Sequence, residues 1–318
     1  LKFYGIRSNQ CLQMSTSLSC ANRCIFCWRD YKAPVSKEWL GEINDPQEII
    51  DGAKEAQKEL LSGFGGHPSA ITELKNESKT VKHVALSLTG EPINYPKINE
   101  IINLFHKEKI STFLVTNGQY PEELKDLPPI TQLYISLDAP SKEILKKVSQ
   151  PLFTDHWERL NKSLEYLSEK KERTCLRFTL MREINMCDLE GYSKLIQKAD
   201  PDFLEIKAYM FVGSSRQRLD LKNMPFHEDM VNFSKALVKY LPDYEIVAEH
   251  IPSRIVLLAK KKYKKNGKWH TWIDFDKFFN KEEDYSRETP ETGLSGKGTK
   301  ERMKVDEKTE ELEFWKED

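Results

Sequence analysis

Three closely spaced cysteines constrain this chain more than any other feature. Cys20, Cys24 and Cys27 follow a short apolar run, with three residues between the first two and two between the second pair. Three thiolates on one loop can occupy three corners of a [4Fe-4S] cube and leave the fourth iron open to a substrate or cofactor. A zinc site would need a fourth ligand, which Cys11 or His83 could supply. The spacing therefore favours a cluster with an open iron, and zinc is the alternative.

The composition fits a protein of a reducing compartment. Six cysteines in 318 residues are too few for a disulfide scaffold. The sequence has no secretory signal and no apolar run near the roughly 20 residues that span a bilayer. We therefore expect a cytoplasmic protein without membrane contact. The net charge of −1 means that a nucleic-acid partner would need a local basic patch.

Short β-rich runs alternate with helical patterns along the chain, which indicates a parallel sheet. The expected strands cover 12–18, 82–88, 112–116, 132–137, 176–180 and 203–208, and the expected helices 45–61, 96–108, 141–147, 158–169 and 188–197. This order predicts an α/β protein, a partial (βα)6 TIM-like barrel with a C-terminal α/β extension.

The predicted domains follow from changes in this pattern. The barrel covers 1–224 and carries a surface insertion, expected to be a loop, at 62–79. An extension at 225–279 begins with a helix over 227–241 and a strand over 245–259. Residues 280–318 are predicted to be a charged, largely exposed tail, which Phe314 and Trp315 could dock.

Polar residues follow the second, third and fourth strands. They are Thr89, Gly90, Glu91 and Pro92, then Asn117, then Ser136 and Asp138. Parallel α/β folds bind ligands at the edge where strands end, so these residues predict a cofactor site. The first group could instead be an ordinary turn, and Asp138 could be a helix N-cap.

The cysteine motif, with aromatic Phe26 before its last member, resembles that of the radical S-adenosylmethionine (SAM) superfamily. Thr89 to Pro92 are similar to its Gly-Gly-Glu-Pro motif, which binds the methionine amine. The resemblance implies that SAM binds the open iron and that its reductive cleavage gives a 5'-deoxyadenosyl radical. It implies cofactor binding by Phe26, Thr89, Gly90, Glu91, Pro92, Asn117, Ser136 and Asp138.

Residues 205–219, 223–227, 251–259 and 272–275 resemble the tRNA 4-demethylwyosine synthases of wybutosine biosynthesis. Eukaryotic members carry an added flavodoxin-like domain that does not occur in these 318 residues, so we expect the shorter archaeal form. The resemblance implies a lyase that condenses N1-methylguanosine, at position 37 of phenylalanine tRNA, with pyruvate. It also implies an electron donor of ferredoxin or flavodoxin type, and we expect a monomer.

The resemblance suggests a substrate or tRNA surface around Lys207, Arg216, Arg218 and Lys222. Phosphates favour such cations. A lysine-rich run at 260–265, with interleaved aromatics, could add to it or be a solvated hairpin.

Cys11 resembles the last of three N-terminal cysteines that bind a second [4Fe-4S] cluster in this family. Its two companions, and the lysine that would hold pyruvate as a Schiff base, are expected to precede Leu1, with Lys2 as a substitute candidate. Cys11 could instead be a small buried residue at a strand start, and Cys175 and Cys187 are expected to be structural and not ligands.

Two rival functions stay open at this point. A radical activase or maturase acting on a protein or peptide would use the same fold and cofactor. A zinc-stabilised RNA-binding module would have no catalytic activity and would hold one metal ion instead of a cluster.

Overall fold

The computed structural model describes residues 2–66 and 70–294 of the chain. Its centre is an eight-stranded sheet in which six parallel strands are neighbours in chain order. This arrangement confirms the predicted α/β barrel. The six strands are β1 (Cys11–Met14), β2 (His83–Leu86), β3 (Ser111–Thr116), β4 (Gln132–Ser136), β5 (Arg173–Leu180) and β6 (Phe203–Ala208).

Two antiparallel strands extend the sheet beyond β6. They are β7 (Tyr244–His250) and β8 (Ile255–Lys260), and β8 lies between β6 and β7. The single strand predicted over 245–259 is wrong. A 3-10 turn at Ile251–Ser253 contains Pro252, and Arg254 follows it with a left-handed φ of 48°. The chain reverses there, so the segment forms a hairpin.

Nine α-helices connect the strands within the described residues. They are α1 (Pro46–Ser62), α2 (Thr72–Glu77), α3 (Ile98–Lys107), α4 (Pro121–Lys125), α5 (Lys142–Ser149), α6 (His156–Glu169), α7 (Leu189–Ala199), α8 (His227–Leu237) and α9 (Phe275–Phe279). The Asp45 side chain caps α1 by accepting from Gln47 N at 2.8 Å.

Strand residues alternate between two environments. Leu86, Leu114 and Ile206 belong to the core that includes apolar residues of the helices. The strand residues between such positions face the other side of the sheet, the barrel interior. This alternation directs Arg177 and Lys207 inward.

Aromatic side chains fill the end of the barrel where the strands begin. The cluster includes Tyr4, Phe113, Phe203, Tyr263, Ile273 and Tyr285. The Tyr285 hydroxyl donates to Thr131 O at 3.0 Å and accepts from Arg173 N at 2.8 Å. Two short hairpins lie in this region, β9 (Lys264–Lys265) with β10 (Lys268–Trp269) and β11 (Trp272–Ile273) with β12 (Ser286–Arg287).

Two expectations about surface segments need correction. The insertion at 62–79, expected to be a loop, contains a 3-10 turn and α2, and Glu77 bonds Arg7 and Asn9 of the N-terminal segment. The tail expected from 280 onward is packed up to 294, because Tyr285 and Thr289 are buried. Phe314 and Trp315 lie outside the described residues. In the described part of the chain, no helix is long and apolar enough to cross a membrane.

Candidate functional site

A cavity of about 530 Å³ opens where the parallel strands end. Its volume suits a small ligand or cofactor. The predicted site residues that line it are Cys20, Cys24, Phe26, Cys27, Thr89, Gly90, Glu91, Asn117, Ser136, Asp138 and Lys207. Pro92 begins the adjoining 3-10 turn. The strand order therefore brings residues far apart in sequence to one edge of the sheet.

The three cysteines of the motif lie together on this cavity. Cys20 Sγ accepts from Asn22 N at 3.4 Å and from Asn117 Nδ2 at 3.5 Å. Burial, followed by the nearby Glu91 carboxylate, raises the pKa of Cys20 to about 12. Burial also raises the pKa of Cys24 well above its usual value. Bound cationic iron would reverse this preference for the neutral thiol.

The number of cysteines matches the three protein ligands of a cube with one open iron. Among residues 2–66 and 70–294, no three His, Cys, Asp or Glu side chains are close enough to hold one metal ion together. The three thiolates of a cube bind three different irons, so they stand further apart than the ligands of one ion. The donor set of three cysteines on one wall of a cavity fits a [4Fe-4S] cluster with one open iron.

Gly90 and Glu91 form a turn that only glycine permits. Gly90 has φ of +68°, and an added Cβ would lie 2.0 Å from Ser17 O. The turn directs the Glu91 carboxylate inward, where Oε2 accepts from Asn117 N at 2.9 Å. Glu91 Oε1 is buried and has no hydrogen-bond partner within residues 2–66 and 70–294, and burial raises the pKa of this carboxyl to about 7. A bound ammonium group would satisfy this oxygen.

Asp138 lines the cavity and does not cap a helix. Its Oδ1 accepts from Thr179 N at 2.8 Å, and burial raises its pKa to about 7. The cap of α5 is Ser141, whose side chain accepts from Ile144 N at 3.4 Å. The N-cap alternative for Asp138 is therefore wrong.

Arg177 is a lining residue that the sequence analysis missed. It pairs with Ser136 across β4 and β5. Its Nε lies 3.5 Å from Glu205 Oε2, and Glu205 Oε1 accepts from the Tyr4 hydroxyl at 3.0 Å. The alternation along β5 could have revealed that Arg177 faces the barrel interior, because Leu176 and Phe178 on either side of it are fully buried apolar residues.

The cations predicted to contact tRNA differ in their surroundings. Arg218 donates to the carbonyls of Ile25, at 3.1 Å, and Cys27, and its guanidinium lies 4.0 Å from the Tyr31 ring centroid. Arg218 therefore stabilises the cysteine loop, a role that the predicted contact with tRNA phosphates did not include. Arg216 is exposed on the adjoining turn. Lys222 is exposed and pairs with Glu183 at 3.0 Å.

The lysine-rich run carries its own counter-ions. Ion pairs join Lys260 to Asp200, Lys262 to Asp202, Lys264 to Glu245, Lys265 to Asp284 and Lys268 to Glu288. These carboxylates reduce the positive charge that a phosphate would meet. The structure thus favours the solvated-hairpin interpretation of this segment.

The other cysteines have separate environments. Cys11 is half-buried on β1 beside His83, and burial raises its pKa to about 11. Cys175 is buried, with its Sγ 3.9 Å from the Tyr4 hydroxyl, whereas Cys187 is exposed.

Comparison with known proteins agrees with this geometry. Residues 14–196 match the model of the radical SAM superfamily, and residues 198–260 match that of wyosine base formation. The S-adenosyl-L-methionine-dependent tRNA 4-demethylwyosine synthase TYW1 of Danio rerio is 46% identical over 277 residues, 87% of this chain and 38% of that protein. The corresponding enzyme of Oryza sativa is 45% identical over 305 residues, 92% of this chain and 47% of that protein. The chain thus spans less than half the length of these curated relatives.

Two solved structures are also similar. A structure of TYW1 with a lysine-pyruvate adduct bound is 33% identical, has a TM-score of 0.74, and covers 84% of this chain and 85% of its own. A crystal structure of archaeal TYW1 is 30% identical, with a TM-score of 0.68 and 84% coverage of both chains. The curated relatives are eukaryotic, so the expected archaeal type is not supported. The chain belongs to the radical SAM superfamily and, within it, to the TYW1-type tRNA 4-demethylwyosine synthase family.

Proposed function

We propose that this protein condenses N1-methylguanosine at position 37 of phenylalanine tRNA with pyruvate to form 4-demethylwyosine. The main support is the cavity that joins Cys20, Cys24 and Cys27 to the Glu91 carboxylate, whose Oε1 has no hydrogen-bond partner among the described residues. The match of residues 198–260 to wyosine base formation favours this reaction over a radical activase or maturase acting on protein.

The lining residues have distinct tasks toward the cofactors. Cys20, Cys24 and Cys27 would hold a [4Fe-4S] cluster, and Glu91 would accept from the methionine amine of SAM. Arg177 would pair with its carboxylate, while Ser136 and Asp138 would hydrogen-bond its ribose. Together the cluster and SAM would supply a 5'-deoxyadenosyl radical, the kind of reagent that an unactivated methyl C–H bond requires. The lining residues would orient these groups within a small cavity and so keep the reacting atoms close.

A second cluster and pyruvate complete the proposal. Cys11 would be one ligand of a second [4Fe-4S] cluster, supported by its place on β1, directly before the cysteine loop. A relative that holds a lysine-pyruvate adduct supports pyruvate as a substrate and a lysine as its carrier. An electron donor of ferredoxin or flavodoxin type would serve a monomeric enzyme in the cytoplasm, where tRNA is modified.

The Cys11 assignment predicts a separation of two activities. Cys11→Ala should leave reductive cleavage of SAM largely intact but stop formation of the tricyclic base, as measured by chromatography of both products. Full tRNA-modifying activity in Cys11→Ala would contradict its role in a second cluster.

The experiment for the whole proposal uses isotopes. The anaerobically reconstituted full chain is incubated with methylated phenylalanine tRNA, SAM, pyruvate and a reductant. Deuterium on the N1-methyl group should appear in 5'-deoxyadenosine, and carbon label at pyruvate positions two and three should enter the base while label at position one does not. Deuterium-free 5'-deoxyadenosine beside genuine product would contradict the mechanism. Failure to bind the tRNA or form product would favour a protein or peptide substrate.

A further inference from the structure

Lys207 lies on the part of the cavity wall that the cofactor assignments do not use. Its strand neighbours Ile206 and Ala208 belong to the outer hydrophobic core, so alternation turns Lys207 toward the barrel interior. It lines the cavity together with Arg177 of the adjacent strand. Lys207 is thus the cation of β6 that faces the reacting groups.

The ammonium group of Lys207 has no carboxylate partner among the described residues. The hydrogen bond found for its Nζ is a long one, 3.4 Å to Ala208 O. The nearby Glu205 carboxylate is instead shared by Arg177 and the Tyr4 hydroxyl. The lysines of the surface hairpin, such as Lys264, each have a carboxylate within 4 Å.

This arrangement costs free energy in the absence of a ligand. Burial, followed by the charge of Arg177, lowers the pKa of Lys207 to about 8, while the negative charge of Glu205 acts in the opposite direction. A charge enclosed without a counter-ion destabilises a fold, and a bound anion offsets that cost. An anionic group of a ligand would therefore be a favourable partner for Lys207.

The position of Lys207 indicates which ligand carries that anion. The residues assigned to the cluster and SAM lie in the segment that matches the radical SAM superfamily, 14–196, whereas Lys207 lies in the segment that matches wyosine base formation, 198–260. An anion specific to this reaction therefore belongs to a substrate. Lys207 is mostly enclosed in a cavity of about 530 Å³, which suits a three-carbon acid better than an RNA backbone.

We propose that Lys207 binds the carboxylate of pyruvate and selects a 2-oxo acid over a neutral ketone or amide. The inference rests on the proposed function and names the group that positions its smaller substrate. In this proposal Lys207 acts through an ionic contact and does not carry pyruvate covalently.

Lys207→Met tests this assignment in the full, reconstituted chain. We expect the KM for pyruvate to rise about ten- to hundredfold, as for loss of a hydrogen bond between charged groups, while the KM values for tRNA and SAM stay unchanged. Lys207→Arg should restore part of the affinity. Wild type should prefer pyruvate to pyruvamide, and Lys207→Met should lose that preference. Lys194→Met, at an exposed lysine of α7 paired with Glu190, is the matched control and should behave as wild type.

A stability measurement separates substrate binding from a structural role. Because Lys207→Met removes an unpaired enclosed charge, we expect the ligand-free variant to melt at the same temperature as wild type or a few degrees higher. A strongly lowered melting temperature would overturn the proposal, as would an unchanged KM for pyruvate or a rise in the KM for tRNA alone. Borohydride trapping of pyruvate on Lys207 itself would also overturn it. A wild-type enzyme that binds clusters but makes no tricyclic base would instead refute the proposed function.

Discussion

The two ends of the barrel differ in how their polar groups are satisfied. Where the strands begin, the Tyr285 hydroxyl bonds Thr131 and Arg173, and charged lysines lie beside carboxylates. Where the strands end, Glu91 Oε1 is buried without a hydrogen-bond partner among the described residues, and in the same part of the chain no carboxylate lies within ion-pair distance of Lys207. At the first end, Arg173 Nη1 is also buried without a partner there, but the rest of its guanidinium donates to Gln132 and Thr271. At the second end the two exceptions face one cavity, which is where ligand-binding groups are expected.

The largest expected effect is that of Cys24→Ala at the cavity end of the barrel, and Cys175→Ala at the aromatic end is its control. Cys24→Ala should abolish the cluster at the cavity and all cleavage of SAM, because two thiolates cannot hold a cube with one open iron. Cys175→Ala, at the aromatic end, should retain both. Iron and sulfide analysis with 5'-deoxyadenosine assays would check this. One zinc per chain in place of iron and sulfide would instead support the RNA-binding module.

Glu91→Gln tests the cavity end of the barrel, because it removes the negative charge of the carboxylate with little change in the shape of the side chain. We expect the Kd for SAM to rise about ten- to hundredfold, because a charge-assisted hydrogen bond to the amine is lost. Anaerobic calorimetry would measure it, with Glu190→Gln on the surface of α7 as the control. Unchanged SAM affinity would remove Glu91 from the cofactor site.

The aromatic end of the barrel should make the free energy of unfolding fall at acidic pH. Burial, followed by the charge of Lys82, lowers the pKa of His83 to about 4, and the ring packs 4.6 Å from that of Phe275. An unfolded histidine binds a proton near pH 6.5, so the stabilising effect of neutral His83 is present above pH 6.5 and is lost as the pH falls toward 4. We expect a loss of about 2 kcal/mol between pH 7.5 and 5, measured by urea unfolding.

His83→Asn is the control for this prediction. Its unfolding free energy should be lower at pH 7.5 but should fall less between pH 7.5 and 5 than that of wild type. Equal pH dependence in the two proteins would assign the effect to other groups.

The smallest effect concerns two neighbouring arginines at the cavity mouth. Arg216→Ala should weaken tRNA binding and reduce the salt slope by up to about one, as for one lost phosphate contact. Arg218→Ala should mainly lower cluster retention, since Arg218 holds the carbonyls of Ile25 and Cys27. Filter binding across salt concentrations and iron counting would distinguish them. If Arg218→Ala weakened tRNA binding and left the iron content unchanged, Arg218 would be assigned to the tRNA contact instead.

Local signals located the six parallel strands and the cysteine loop, although β1 is shorter than the predicted 12–18. The β6 strand has the predicted bounds of 203–208, because apolar Leu204, Ile206 and Ala208 alternate there with charged residues. The motifs after β2, β3 and β4 were placed at the cavity because parallel strands share one edge.

Features that depend on distant contacts could not be predicted in this way. Arg218 has the composition of a phosphate-binding residue, and its bonds to carbonyls more than 190 positions away are set by the tertiary fold. Tyr285 lies in a charged segment whose composition predicts an exposed tail. In the structure it is buried, and its hydroxyl forms hydrogen bonds with Arg173 and Thr131. Arg177 was missed because the sequence does not show which face of a strand borders a cavity.

The Glu205 carboxylate connects the two ends of the barrel. Its Oε1 accepts from the Tyr4 hydroxyl, and its Oε2 lies 3.5 Å from Arg177 Nε. In the proposed function, the SAM carboxylate would draw Arg177 away from Glu205 and leave the Tyr4 hydroxyl as the main hydrogen-bond donor to it. Reciprocity would then require that SAM binding and docking of the N-terminal segment strengthen each other. Slower amide hydrogen exchange around Tyr4 when SAM is added is the signature of this coupling.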